Sequence, residues 1–131
     1  MKILNQEETK RIADKVMSLS KADECIVTIN GSRTGNIRYA RNAVSTAGLV
    51  ENTQLSVAVA FGKKQGTAVI NEFDDKSLAK AVQRAEELAR LAPENPEFMP
   101  TPDKQAFKAS NTFSKSTDAI DPAYRAQVAA Y

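Results

Sequence analysis

The side chains that could do chemistry in this chain are few, and their types exclude most catalytic sites. The 131 residues contain no histidine, which excludes a nucleophile–histidine triad, a histidine metal ligand and a histidine general base. Cys25 is the single cysteine, so an internal disulfide and a cysteine zinc site are excluded as well. A nucleophilic thiol needs a nearby base or a helix N-terminus, whereas Cys25 opens a predicted strand; we interpret it as a buried structural thiol.

Two adjacent carboxylate pairs and one glycine–lysine loop are also explained by local structure. Asp23-Glu24 and Asp74-Asp75 fall at a predicted turn and a predicted helix start, where turn formation and capping account for them. The segment Gly62–Thr67 (GKKQGT) lacks the spacing of a phosphate-binding P-loop and lies between two predicted strands. The residues themselves therefore predict no catalytic set, no cofactor site and no metal site in this chain.

The basic residues of the predicted sheet are the one set that suggests a binding surface. A solvated sheet surface explains them, and so does an electrostatic surface for an acidic partner or a peptide. We predict this peptide or partner surface at Arg38, Arg41, Lys63 and Lys64, with Arg33 nearby. Lys plus Arg exceeds Asp plus Glu by only 18 − 16 = 2, so a nucleic-acid binder is disfavoured.

The elements that must position these residues are predicted as an α+β fold, a two-layer α/β sandwich with two helices on one face of a sheet. Hydrophobic residues make up 42% and charged residues 26%, the balance of a globular domain. A capping box at Asn5–Glu8 and the apolar stripe after it predict a helix over about residues 6–20. Asp74 or Asp75 begins a second helix, which Pro93 ends.

The residues between the two helices alternate between apolar and polar, the period of a β-strand. They predict a mainly antiparallel sheet of about five strands within residues 25–71, because the turns between them are short. Clusters of turn-forming residues at Asn30–Gly35 and Glu51-Asn52 are interpreted as strand breaks. The clearest alternation contains Val57 and Val59, which we expect to be buried against the second helix.

The composition changes after the second helix, where four prolines interrupt a polar segment with few aliphatic residues. We predict a domain over residues 1–95 and a linker or arm over residues 96–131, which ends in the start of a truncated helix. The apolar stripe of that helix is Tyr124, Val128 and Tyr131. Because the stripe is unfinished at Tyr131, we expect the natural protein to continue.

The order of these motifs resembles the N-terminal domain of the TldD/PmbA family. The resemblance covers about residues 5–100 and is carried by GNIRYARN at 35–42, VAVAFGKKQG at 57–66, NEFDD at 71–75 and AEELARLAP at 85–93. It implies a non-catalytic domain that helps shape the peptide-substrate channel and the dimer of a metallopeptidase or of its partner subunit. The family's His-Glu-x-x-x-His metal motif belongs to a later domain, so any zinc is expected there.

The resemblance also implies partners: a peptide or unfolded protein substrate, and a family member as the second subunit of a homo- or heterodimer. Because the family has been linked to DNA gyrase, a second hypothesis is a protein-interaction module that modulates a partner such as DNA gyrase or a toxin system. The single thiol and the lack of an apolar segment near Met1 favour a cytoplasmic protein without membrane association.

Overall fold

Seven elements follow one another in the computed structural model, which describes residues 3–129. They are α1 (Gln6–Leu19), β1 (Glu24–Ala40), β2 (Ala43–Phe61), β3 (Lys64–Ile70), α2 (Asp75–Leu91), α3 (Lys115–Asp118) and α4 (Pro122–Ala129). The strands form one sheet in the order β1-β2-β3, and two-residue loops make neighbouring strands antiparallel. The α+β class predicted from the sequence is confirmed. Among the described residues, no helix combines the length and the apolar character needed to cross a membrane.

The described part of the chain forms a sheet of three strands, so the prediction of about five strands is wrong. β1 continues without a break through Asn30–Gly35, and β2 continues through Glu51 and Asn52. Among the described glycines only Gly62 has a positive φ, so the two glycines of the predicted first turn are not left-handed. Glycine and asparagine favour turns. Here the pairing of β1 with β2 satisfies their backbone groups in an extended conformation instead.

The amino-acid composition of the two loops that join the strands indicates a turn less strongly. Arg41 (φ 54°) and Asn42 (φ 59°) form the loop between β1 and β2, and positive φ at both central positions is the type I′ turn of a β-hairpin. Gly62 (φ 55°) and Lys63 form the loop between β2 and β3, where glycine at the first central position is typical of type II′. Arginine is uncommon at positive φ, so the first loop was only a weak break in the sequence.

The chain divides into two compact units. The first comprises the residues up to Gly31 together with Asn52–Asp103, and it contains α1, β3 and α2. The second comprises Ser32–Glu51 and the residues from Lys104 onward, and it contains the β1–β2 hairpin loop, α3 and α4. β1 and β2 each contribute to both units. Tyr131, the last residue of the predicted apolar stripe, lies outside the described residues.

The core of the first unit lies between the sheet and helices α1 and α2. Val57 is fully buried and Val59 is 3% exposed, as the sequence predicts. Val57 pairs with Ala68 and Val59 with Gly66, so both strands present the same face to the helices. The buried residues that complete this core include Leu55 in β2, Ile12 and Val16 in α1, and Leu78, Ala81, Val82, Ala85 and Ala89 in α2.

Gly66 is the place where α2 lies directly on the sheet. A Cβ built on Gly66 would overlap the Ala85 carbonyl oxygen and the Ala89 amide nitrogen, both of which belong to the α2 backbone. A short connection leads from β3 to α2 and ends at Asp74. The Asp74 carboxylate caps α2 by accepting hydrogen bonds from the Lys76 and Ser77 amides at 3.0 and 3.1 Å.

Candidate functional site

The four basic residues predicted as a binding surface occur as two pairs, one in each compact unit. Arg38 in β1 and Arg41 in the first hairpin loop are exposed and belong to the second unit. Lys63 in the second hairpin loop is exposed, and the neighbouring Lys64 is half-buried; both belong to the first unit. The Lys64 ammonium donates to the Arg90 carbonyl oxygen at 3.5 Å. A role for these residues in binding stays a prediction.

A buried carboxylate lies between the end of α1 and α2. Glu86 is 6% exposed and accepts a hydrogen bond from the Lys21 amide at 2.6 Å. It also accepts from the Arg90 guanidinium at 3.2 Å, and that guanidinium lies 4.4 Å from the centre of the Phe61 ring. Through these contacts the Glu86 carboxylate links the end of α1 to α2, and Arg90 extends the link to β2. We therefore interpret Glu86 as a structural group.

Cys25 lies half-buried at the start of β1, beside Ser20 and Glu86. Burial raises the pKa of the Cys25 thiol; the negative charge of Glu86 adds to the rise, and a hydrogen bond with Ser20 opposes it. The thiol is therefore protonated at neutral pH, which agrees with the structural role expected from the sequence.

The resemblance places any zinc in a later domain of the family. Across residues 3–129, no group of three or more His, Cys, Asp or Glu side chains comes together in a way that could hold a metal ion. The paired carboxylates of the sequence serve other purposes. Asp74 caps α2, and Asp23 accepts a hydrogen bond from the Gly62 amide at 2.8 Å.

The second unit contains an open groove of about 1270 Å³, which we call the arm groove. Its apolar walls come from β1, β2 and the C-terminal segment that contains α3 and α4. They include Ile37, Tyr39, Leu49, Phe113, Ile120, Tyr124 and Val128. The Arg125 guanidinium lies against Gly35 and donates to the Ile120 carbonyl oxygen at 3.0 Å. Its buried Nε has no hydrogen-bond partner within the described part of the chain. Exposed apolar side chains grouped in this way mark a contact surface.

Sequence reasoning missed the arm groove because it divided the hairpin into short strands. The alternation of Ile37 with Tyr39 on one face was visible in the sequence, but nothing there placed Leu49 beside them. The uninterrupted β1–β2 pairing brings these side chains to one wall.

The first unit contains a second groove, of about 560 Å³, between the outer edge of β3 and α2. We call it the edge groove. Thr67 and Val69 belong to its strand side. Its helix side presents Lys80, Arg84 and Leu88, which follow one another at four-residue intervals along α2. Side chains at this spacing share one face of a helix.

The comparison with known proteins decides the family. A family model described as "PmbA/TldA metallopeptidase domain 1" matches residues 26–89, which include nearly all of the sheet and most of α2. The segment of residues 26–89 belongs to the PmbA/TldD family. The resemblance drawn from the ordered motifs is thus confirmed, and the matched segment is a first, N-terminal domain of that family.

The fold is similar to that of a PmbA/TldD-type protein of known structure. The crystal structure of TldE from Thermococcus kodakarensis superposes with a TM-score of 0.74 over 88% of this chain, at 14% sequence identity. Likeness at this identity concerns the fold alone. This chain spans about a quarter of the TldE chain, 26% of its length. No curated protein matches the sequence.

Proposed function

We propose that this chain is the non-catalytic N-terminal domain of a TldD/PmbA-type metallopeptidase or of its partner subunit, and that it shapes the peptide-substrate channel and the dimer. The match of residues 26–89 to the first domain of the family carries the proposal. No metal ligands gather within the described residues, and in this proposal the chain binds peptides without cleaving them. Zinc, in this proposal, is bound by another domain.

The arm groove supports a role in binding extended peptides. Tyr39 and Leu49 present exposed apolar surface on its strand wall. Phe113 and Tyr124 present exposed apolar surface on the opposite wall. We therefore propose that an extended peptide lies in the arm groove and packs its apolar side chains against these walls.

The basic pairs have a related role in this proposal. Arg38 and Arg41 stand on the same hairpin as the groove wall, whereas Lys63 and Lys64 stand on the other compact unit. We propose that both pairs contact the peptide or the second subunit, a family member, in the cytoplasm. Replacing each pair by glutamate separately would assign each contact to peptide binding or to dimer formation.

Leu49 and Val50 provide a matched test of peptide binding. They are neighbours in β2 with similar exposure, 55% and 58%, but only Leu49 lines the arm groove. Leu49→Asp and Val50→Asp are compared by fluorescence anisotropy with a labelled, uncharged Ser/Val peptide. We expect Leu49→Asp to weaken binding at least tenfold and Val50→Asp to leave it unchanged. Equal effects of the two variants would contradict binding in the arm groove.

The dimer and the alternative hypothesis are tested separately. Light scattering during size-exclusion chromatography measures whether the chain forms a dimer with itself or with a co-expressed family member. A monomeric mass both for the chain alone and for the co-expressed pair would contradict the dimer role. If no peptide binds but folded gyrase subunits do, the interaction-module hypothesis is favoured instead. Peptidase activity that follows one of this chain's own residues would contradict the non-catalytic role.

A further inference from the structure

Within residues 3–129, no strand pairs with the outer edge of β3, so this edge can accept another strand. β3 is the last strand of the sheet, and its inner edge pairs with β2 from Phe61↔Lys64 to Leu55↔Ile70. The two-residue loop makes Phe61 and Lys64 a hydrogen-bonded pair, and such pairs alternate along an antiparallel ladder. The N–H and C=O groups of Gln65, Thr67 and Val69 therefore point away from β2. An edge with unpaired backbone groups is a template for an added strand.

The α2 side of the edge groove has the spacing to read such a strand. Lys80, Arg84 and Leu88 are four residues apart, which places them about 6 Å from one another along the helix. Side chains on one face of a strand recur about every 6.6–6.8 Å. Alternate side chains of a strand added to β3 would therefore meet these three residues one after another.

The charges of the groove define the side chains that fit. Lys80 and Arg84 are exposed, and neither makes an ion pair within the described residues. Glu72, which follows β3 at the Lys80 end of the groove, accepts a hydrogen bond from Ser77 at 3.0 Å. Two neighbouring positions thus favour acidic side chains, and the third, at Leu88, favours an apolar one.

We propose that β3 and α2 together bind an extended segment of a partner protein with the pattern acid-x-acid-x-apolar. The segment pairs antiparallel to β3, so its first acidic residue faces Lys80, its second faces Arg84 and its apolar residue faces Leu88. Main-chain hydrogen bonds supply affinity, and the two ion pairs with the apolar contact supply specificity. The inference deepens the proposed function and rests on it, because it names the class of polypeptide partner for one surface of the same domain.

A second copy of this chain does not provide the segment. Glu72 and Asp74 are the only acidic residues in the sequence that lie two positions apart, and the residue that follows at the same spacing is Lys76. Asp74 is also engaged as the cap of α2. The occupant is therefore a different polypeptide.

The test uses the full chain and short labelled peptides. Anisotropy is measured with Ser-Glu-Val-Glu-Val-Leu-Thr, with a lysine version (Ser-Lys-Val-Lys-Val-Leu-Thr) and with a version in which the two glutamates are adjacent. We expect only the first peptide to bind well, with at least tenfold weaker binding of the other two. Lys80→Glu/Arg84→Glu should reduce binding of the first peptide tenfold or more. Lys10→Glu/Arg11→Glu, an equal charge change on exposed residues of α1, should not.

Strand pairing is tested on the peptide, which leaves the fold of the protein untouched. N-methylation of the residues whose amides would face β3 removes the main-chain donors, and we expect binding to be lost. Thr67→Pro is the matching change on the protein, since its amide points outward and proline is tolerated there. Unchanged binding of the methylated peptide, or equal loss in the α1 control, would overturn the inference.

The outcome separates this inference from the proposed function. If the acidic peptide binds and only Leu49→Asp weakens its binding, the edge groove is not its site, although peptide binding by the domain stands. If no peptide of any charge binds, the proposed function itself fails.

Discussion

Substituting Gly66 by alanine tests the closest approach in the fold. In the middle of a strand, replacing glycine by alanine ordinarily stabilises a protein by about 0.5–1 kcal/mol, because alanine has less conformational freedom to lose on folding. At Gly66 the new Cβ would overlap two backbone atoms of α2, at Ala85 and Ala89, so the helix must move away from the sheet. The sequence therefore predicts that Gly66→Ala stabilises the protein, whereas the structure predicts that it destabilises the protein.

The magnitude follows from the nature of the obstacle. Overpacking a well-packed core costs about 1–3 kcal/mol, and the upper end applies because backbone atoms cannot rotate away as a side chain does. Subtracting the ordinary gain of about 0.5–1 kcal/mol leaves a net loss of about 2 kcal/mol in the free energy of unfolding. Urea unfolding of Gly66→Ala, followed by circular dichroism, measures this loss as a lower midpoint.

Gly31→Ala is the matched control, because it makes the same change in a strand of the same unit. A Cβ there would lie 3.3 Å from the side chain of Ile3, which can shift. We expect this variant to unfold at the same urea concentration as the parent or a higher one. Adding Ala85→Gly to Gly66→Ala should not restore stability, since the overlapping atoms are backbone. Equal midpoints for the two single variants would refute the direct contact between α2 and Gly66.

Three further predictions concern ionisation and the C-terminal segment. Burial and Glu86 raise the pKa of Cys25, so the rate at which the thiol is alkylated should reach half its maximum at a higher pH than for a free thiol. Glu86→Gln should lower the pH of this midpoint. An unchanged midpoint in that variant would contradict the electrostatic effect of Glu86. Hydrogen bonds from Ser77 lower the pKa of Asp74. The Asp74 carboxylate therefore stabilises the fold at pH values above the ordinary carboxyl pKa, and this stabilisation is lost as the pH falls through the lowered pKa. Asp74→Asn should therefore make the urea midpoint less sensitive to pH below about 4, and an equally steep pH dependence would argue against this role of the cap. Trypsin should cut first at Lys104 and Lys108, which are exposed and outside any helix or strand. Mass spectrometry identifies the first cut, and a first cut within β1, at Arg33 or Arg38, would contradict this.

The sequence alone determined those features that depend on neighbouring residues. The capping box at Asn5 and Glu8 forms with both of its hydrogen bonds, and α2 begins at the predicted aspartate. The alternation around Val57 and Val59 identified the buried face of β2, because the two sides of a strand differ in solvent contact whatever lies opposite. The ordered motifs also identified the family.

The tertiary structure decided what depends on residues far apart in the chain. Composition placed turns at Asn30–Gly35 and Glu51-Asn52, whereas pairing between β1 and β2 keeps both segments extended. The same pairing forms a wall of the arm groove and leaves the basic residues as two pairs in different units. Gly66 appears in the sequence as an ordinary turn glycine, yet its role is to let a helix backbone touch a strand. Local propensities decide the conformation of a segment only where no partner strand or helix competes for its backbone and its surface.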